Sequence, residues 1–254
     1  MILDSFKLDG KVALVTGAGQ GLGQGMALAL GEAGADVAGL DIGNSEGTGK
    51  AVNQLGRRYK EIVCNLKTSS IDDLGQVIAE IVADLGRLDI LVNNAGIIRR
   101  IPAIDFSEAD WDDVLQINLK AAFFLSQAAA RVMVPQASGK IINIASMLSF
   151  QGGITVPSYT AAKSGIAGIT RALANEWAKH NVNVNAIAPG YMATENTAPL
   201  RADANRAPAI LERIPAERWG TPEDLMGTVV FLASAASDYL QGAIIPVDGG
   251  WLTR

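Results

Sequence analysis

Seven short apolar runs recur along the 254-residue chain, at 11–17 (KVALVTG), 35–41 (ADVAGLD), 61–66 (EIVCNL), 88–96 (LDILVNNAG), 139–146 (GKIINIAS), 182–190 (VNVNAIAPG) and 242–248 (GAIIPVD). Within each run the apolar positions are nearly continuous rather than alternating, the pattern of strands buried on both faces. Longer segments with helical spacing separate them. Three of these open on start signals: Ser70 with Asp73, Ser107 with Asp110 before WDDVLQINLKAAFF, and Thr221 with Pro222. Strands alternating with helices predict an α/β fold with about seven parallel strands, doubly wound with helices on both faces. No Pro/Ser-rich linker or internal repeat interrupts the series, so a single domain over 1–254 is expected. The one long irregular stretch, 191–209 (YMATENTAPLRADANRAPA), is expected to be a substrate loop or lid.

Composition narrows the function classes. With 49% hydrophobic and 19% charged residues there is ample material for a large core. A net charge of −5 without any block of Lys and Arg argues against nucleic acid or an anionic membrane as partner. One cysteine, Cys64, cannot form an intramolecular disulfide, and one histidine, His180, leaves no metal-ligating cluster, so no metal is expected. His180 stands before Asn181 at a helix end, where it is expected to meet terminal carbonyls. The first residues lack a signal-peptide pattern, and no stretch nears the roughly 20 apolar residues of a membrane span. These features predict a soluble cytoplasmic protein.

The first run continues into a glycine-rich turn and a helix, KVALVTGAGQGLGQGMALAL. Glycines permit positive φ and close approach, and a helix N-terminus offers unpaired N–H groups to a pyrophosphate. The spacing Gly17, Gly21, Gly23 meets the common G-x-G-x-x-G fingerprint in no register, and such a turn also occurs without a ligand. Asp41, at the end of the second run and roughly 20 residues on, adds an acceptor for adenosine ribose hydroxyls. A carboxylate there repels a 2′-phosphate, and its neighbours Gln20 and Ile42 are not basic. The predicted cofactor is therefore NAD, in a Rossmann-type domain.

Further along, the chain resembles the short-chain dehydrogenase/reductase family over its full length. The resemblance is carried by Thr16-Gly17-x-x-x-Gly21-x-Gly23, Asn93-Asn94-Ala95-Gly96, Asn118, Ser146, Tyr159-x-x-x-Lys163, Pro189-Gly190 with Thr194, and Asp248-Gly249-Gly250. It implies an enzyme acting on CH–OH groups, with Leu22, Asn65, Leu66, Asn94, Ala95, Gly96, Pro189, Gly190 and Thr194 joining the glycine turn, Asp41 and Ile42 around the cofactor. It further implies that Thr194 meets the nicotinamide carboxamide, that Lys163 binds the nicotinamide ribose, and that Asn118 holds a water relaying protons. Asn65 departs from the family, which often has Asp there. An amide oxygen still accepts from the adenine amino group.

Spacing by four puts Tyr159 and Lys163 on one helix face. Alone, such a pair is as compatible with two snorkelling surface side chains. Behind a nucleotide turn, with Ser146 and Asn118, it becomes a candidate base and its acidifier. Tyrosine, with a pKa of about 10, must be acidified by roughly 2 to 3 units, or about 3 to 4 kcal/mol, to act near neutral pH. One Lys charge at about 4 Å supplies on the order of 1 kcal/mol in water and about 4 at an effective dielectric of 20. Burial alone raises a tyrosine pKa, so the argument also needs the oxidised nicotinamide as a second cation. Ser146, ending the fifth run at the carboxyl edge, can hold the reacting substrate oxygen.

Substrate residues are sought beyond Ser146 and Tyr159. Arg99 and Arg100 offer the two-pronged geometry that matches a carboxylate, although each is as readily a solvated loop charge. Gln151 and Met192 are expected to line the same pocket. Several stretches, among them IIRR and NEWAKHNVNVNAIAPGYMAT, resemble family members of pectin and uronate breakdown that interconvert ketones and alcohols on six-carbon sugar acids. A sugar acid is thus the implied small-molecule partner, and a homotetramer with Trp251 near a subunit interface the implied assembly. Another sugar acid or an acyl thioester as substrate, and a non-catalytic nucleotide sensor, are the alternatives.

Overall fold

Each of the seven apolar runs forms a strand in the computed structural model of the protein, which describes residues 1–254. The strands are β1 (Val12–Thr16), β2 (Asp36–Asp41), β3 (Tyr59–Val63), β4 (Ile90–Asn93), β5 (Gly139–Ile144), β6 (Val182–Pro189) and β7 (Ile244–Val247). They make one all-parallel sheet in the order β3-β2-β1-β4-β5-β6-β7. Between them lie α1 (Gly21–Glu32), α2 (Glu46–Gln54), α3 (Ile71–Leu85), α4 (Glu108–Leu115), α5 (Ala121–Gln136), α6 (Pro157–Trp177), α7 (Ala198–Ala202), α8 (Arg206–Arg213) and α9 (Glu223–Ala233).

Both faces of the central strands are covered, and alternate side chains serve opposite cores. Val12 and Leu14 of β1 join a cluster with residues of α3, α5 and α6, while Ala13 and Val15 join one with α1, α2 and α9. All five residues of β1 and all eight of β6 are buried; β1 runs apolar as far as Thr16, whereas β6 alternates at its start, where Asn183 and Asn185 are buried with their amides donating to the Leu240 carbonyl. At the edge, β3 buries only Ile62. It starts two residues earlier and ends three residues earlier than the run at 61–66 because pairing with β2 begins at Val37↔Tyr59 and ends at Asp41↔Val63. The residues from Cys64 to Leu66 turn off the carboxyl end.

Local rules explain the helix starts. Ser70 Oγ accepts from the Asp73 N–H at 3.1 Å while the Asp73 carboxylate accepts from the Ser70 N–H at 2.8 Å, a reciprocal capping box. Ser107 Oγ accepts from the Asp110 N–H at 3.1 Å. At the third start the capping group is Asp224, one turn inside, whose carboxylate takes the Thr221 N–H at 2.8 Å.

Three expectations change. The helix from Ser107 is interrupted by a π-turn at Gln116–Lys120, which widens the ladder between α4 and α5. The stretch 191–209 is not irregular: a 3₁₀ turn at Glu195–Thr197, α7 and the start of α8 fall within it. His180 caps no carbonyl; the turn after α6 closes through Asn181, which takes a left-handed φ of 56°. No helix is long and apolar enough to cross a membrane.

A buried polar bridge ties the sheet to the α5–α6 layer. Asn93 Nδ2 donates to Asn143 Oδ1 at 2.8 Å and to Ser126 Oγ at 2.9 Å, and Asn143 Nδ2 donates to Thr170 Oγ1 at 2.9 Å. Asn143 is wholly inaccessible to solvent, so no water replaces a lost partner. Asn143→Ala is expected to destabilise the fold by about 2–3 kcal/mol through the lost bonds and the void. Urea denaturation at unchanged m-value checks this; a shift below about 0.5 kcal/mol contradicts it.

Candidate active site

The strand order reverses between β1 and β4, and a cleft of about 500 Å³ opens there at the carboxyl ends of the strands. At one end lies the glycine turn. Gly17 and Gly21 adopt φ of 68° and 57°, and a Cβ on Gly23 would overlap the Gly17 carbonyl, so the turn closes only with glycine. No side chain caps α1, leaving its first N–H groups free. Two contacts pin the turn. Asn94 Nδ2 donates to the Thr16 carbonyl at 2.8 Å, and Thr16 Oγ1 accepts from the N–H groups of Asn94 and Ala95 at 3.0 and 2.9 Å. The Asp41 carboxylate accepts from the N–H groups of Gly19 and Ile42, both at 2.8 Å.

Every residue assigned to the cofactor from sequence lines this cleft, from Gly17, Gln20, Gly21, Leu22 and Gly23 through Asp41, Ile42, Asn65, Leu66, Asn94, Ala95 and Gly96 to Tyr159, Lys163, Pro189, Gly190 and Thr194. The Thr194 methyl approaches within 3.8 Å of where a Gly21 side chain would begin, closing the cleft from the lid side. Three features fit a dinucleotide: free N–H groups at a glycine cradle, an acidic ribose acceptor, and length enough to reach a titratable pair. Lys163 is the cleft's one cationic lining residue, and it stands at the end away from Asp41.

At that far end Ser146, Tyr159 and Lys163 come together. Ser146 is the residue where β5 passes into a 3₁₀ turn, and its Oγ accepts from the Leu148 N–H at 3.2 Å. Lys163 is 4% exposed; its Nζ donates to the Ile144 carbonyl at 2.5 Å and lies 5.6 Å from the centre of the Tyr159 ring. Burial pushes the Lys163 ammonium down to about 8. Burial likewise pushes the Tyr159 phenol up, opposed by the Ser146 hydroxyl and then by the Arg100 charge. Proximity to Lys163 alone therefore does not acidify Tyr159 in the cofactor-free protein, and the guanidinium that favours the tyrosinate is Arg100.

Asn118 does not line the cleft. It is buried in the π-turn, where its Oδ1 accepts from the Ile97 N–H at 2.8 Å and its Nδ2 donates to the Ile97 carbonyl at 2.9 Å. That side chain is committed to fixing the segment after Gly96. The widened turn is the place in such a helix where a main-chain carbonyl loses its regular partner.

The expected substrate residues separate. Arg99 pairs with Asp110 at 3.2 Å and lies 3.9 Å from Asp113. Arg100 has no carboxylate partner; its Nη2 donates to the Asn196 carbonyl at 2.9 Å. Burial and then the Arg206 charge hold its pKa below the usual arginine value, while Tyr159 and Tyr191 act the other way. Met192 is 4% exposed, packs in the core and still reaches the cleft. Gln151 lies outside the cleft, where its Oε1 accepts from Arg213 Nη2 at 3.4 Å. Ile97 and Ile117, not expected from the sequence, also line the cleft, as do Glu195–Thr197 of the expected substrate loop. Their adjacency to Gly96, Asn118 and Thr194 was the available signal.

Known proteins resemble this chain over nearly its whole length. A family model described as enoyl-(acyl carrier protein) reductase matches residues 17–252. The chain is 61% identical over 255 residues to 2-dehydro-3-deoxy-D-gluconate 5-dehydrogenase of Escherichia coli (strain K12), with 100% of both chains covered. It is 53% identical to the enzyme of that name from Bacillus subtilis (strain 168), covering 99% of this chain and 98% of the other. A crystal structure described as a 2-deoxy-D-gluconate 3-dehydrogenase of Agrobacterium tumefaciens with bound NADP is 52% identical, with a TM-score of 0.92 over 99% of this chain and 100% of that one.

Proposed function

The chain belongs to the short-chain dehydrogenase/reductase family, and from that premise we propose that it interconverts a secondary alcohol and a ketone on a six-carbon sugar acid, as 2-dehydro-3-deoxy-D-gluconate 5-dehydrogenases do. It is an oxidoreductase acting on a CH–OH group with a nicotinamide cofactor. The observation that carries the reading is the single cleft with the glycine turn and Asp41 at one end and Ser146, Tyr159 and Lys163 at the other.

In oxidation, Ser146 Oγ holds the substrate hydroxyl and Tyr159, as tyrosinate, takes its proton. The nicotinamide, when bound, supplies the acceptor for the hydride that leaves the same carbon with the C–H electron pair. Reduction reverses both transfers. Lys163 orients the ribose beside Tyr159 and adds charge in a nearly dry site, where charge acts more strongly than in water. Asn118 acts through Ile97, whose N–H and carbonyl take up its amide.

NAD is the proposed cofactor. Although the Agrobacterium relative holds NADP, a 2′-phosphate here would meet the Asp41 carboxylate with no Lys or Arg lining that end of the cleft. The test is turnover of 2-dehydro-3-deoxy-D-gluconate, D-gluconate and an acyl-thioester ketone with each cofactor. Sugar-acid turnover with kcat/KM higher for NAD than for NADP supports the reading; acyl-thioester turnover alone overturns it.

Arg100, unpaired and close enough to Tyr159 to alter its ionisation, is the proposed anchor of the substrate carboxylate. Loss of a charge-assisted bond of about 1.5–3 kcal/mol corresponds to a KM raised about 10- to 100-fold in Arg100→Ala. Arg99→Ala, which breaks only the pairing with α4, should leave KM nearly unchanged. Equal effects in the two variants would sink the assignment. The proposed homotetramer would cover the exposed Ile104 and Trp111 around α4, and light scattering measures it. Trp251 needs no partner subunit for its burial, being 5% exposed within its own chain.

A further inference from the structure

A small apolar cluster stands apart from the two main cores. Met147, Ile210, Ile214 and Trp251 are buried together, with Tyr191 and Trp219 packed against them. Distant parts of the chain meet here: Met147 follows Ser146, Tyr191 follows Pro189 and Gly190, Ile210 lies on α8, and Trp251 follows β7. The cluster thus joins α8 to the residues that flank the candidate active site.

The segment after β7 packs on Tyr191 and holds α8 through Trp251 and Arg254. The Trp251 ring packs edge-on to Tyr191 with centroids 4.7 Å apart, and the Arg213 guanidinium sits 4.0 Å from the Trp251 ring centre. Arg254 Nη2 and Nε donate to the carbonyls of Glu212 and Arg213 at 2.8 and 3.3 Å, taking up oxygens that the end of α8 leaves without helical partners. Arg213 Nη2 also donates to Gln151 Oε1 at 3.4 Å, tying the end of α8 to the turn that follows Met147.

Helix α8 has eight residues, of which only Ile210 is buried. Helices that short are marginal on their own, so their order comes from what they pack on. At its other end α8 starts with Arg206, whose charge is felt by Arg100.

We propose that Trp251, with Arg213 and Arg254, is the seat of the lid: a positioning group that holds α8 over the substrate side of the site and sets affinity for the sugar acid. The inference rests on the substrate carboxylate meeting Arg100, as the proposed function has it, with Arg206 at the start of α8 near enough for its charge to act on Arg100. It gives Trp251 a role in substrate binding within one chain. The Trp251 indole N–H is buried without an acceptor, so the residue works by its ring and not by a hydrogen bond.

The full-length protein and the variants Trp251→Ala, Trp251→Phe and Arg254→Ala are compared by hydrogen exchange and by steady-state kinetics with 2-dehydro-3-deoxy-D-gluconate and NAD. In Trp251→Ala, amides of 206–213 should exchange at least about tenfold faster with those of the sheet unchanged, and KM should rise about tenfold with kcat and NAD affinity nearly constant. Trp251→Phe should restore both, and Arg254→Ala, which spares the core, should move both less in the same direction. Unchanged α8 exchange in both Trp251→Ala and Arg254→Ala overturns the proposal, as does faster exchange with KM unaltered. If the unaltered protein turns over no sugar acid, the proposed function falls, and the exchange data still decide whether Trp251 seats α8.

Discussion

Tyr159→Phe is expected to cut kcat by about 10²- to 10⁴-fold while leaving dinucleotide affinity essentially intact. The substitution removes one oxygen and keeps the ring that stands 5.6 Å from Lys163 Nζ, so the cleft retains its shape. The lost oxygen is the phenol beside Ser146, where a substrate hydroxyl must give up its proton. Because burial raises the Tyr159 pKa in the cofactor-free protein, the tyrosinate has to be favoured by charge brought into the site. The phenol pKa should accordingly fall when oxidised nicotinamide binds, as followed by ultraviolet difference titration of the binary complex. Turnover within about tenfold of the unaltered enzyme would falsify the assignment of Tyr159 as base.

Lys163→Met is expected to abolish useful turnover and at the same time to stabilise the cofactor-free protein. The folded-state pKa of Lys163 is about 8 against an ordinary 10.5. Between those values the unfolded chain holds a proton that the native chain has released, so this group makes stability rise with pH across that window. Below pH 8 the native state carries a buried ammonium that costs about 3 kcal/mol. Methionine removes this cost and forfeits the bond to the Ile144 carbonyl, worth about 1 kcal/mol, for a net gain of about 1–3 kcal/mol at pH 7. Denaturant titrations at pH 7 and pH 10 measure the difference, which should shrink as pH rises. A variant less stable at both values by the same amount would show that Lys163 is held without strain.

Much of the arrangement was legible in the sequence because parallel strands buried on both faces leave continuous apolar runs. β1 could hardly be read otherwise, and β6 is apolar only from Ala186 onward, after Asn183 and Asn185. The edge strand β3 was misplaced by two residues at its start and three at its end since only Ile62 needs to be apolar there, and its limits are set by hydrogen bonding to β2. The π-turn leaves no mark in composition: one extra residue per turn changes the ladder but hardly the apolar spacing around Asn118. α7 and the start of α8 were hidden by Pro199 and Pro208, and α8 takes its order from contacts made by residues far along the chain. Arg99 and Arg100 are chemically identical neighbours. Only the folded chain shows that Asp110 and Asp113 take up the first and that the second is left free of carboxylates.

The clip between Thr16 and Asn94 has a consequence for the order in which the molecule is made. β1 and β4 are neighbours in the sheet, yet β2 and β3 lie between them in the chain, so the glycine turn has its Asp41 contact but not its clip until synthesis has passed residue 94. A nascent chain carrying only the first three strands has the glycines and the acidic acceptor but no wall opposite them. Contacts spanning such a separation form late because the intervening loop must first be closed. The nucleotide can therefore act as a folding partner only once the fourth strand has docked.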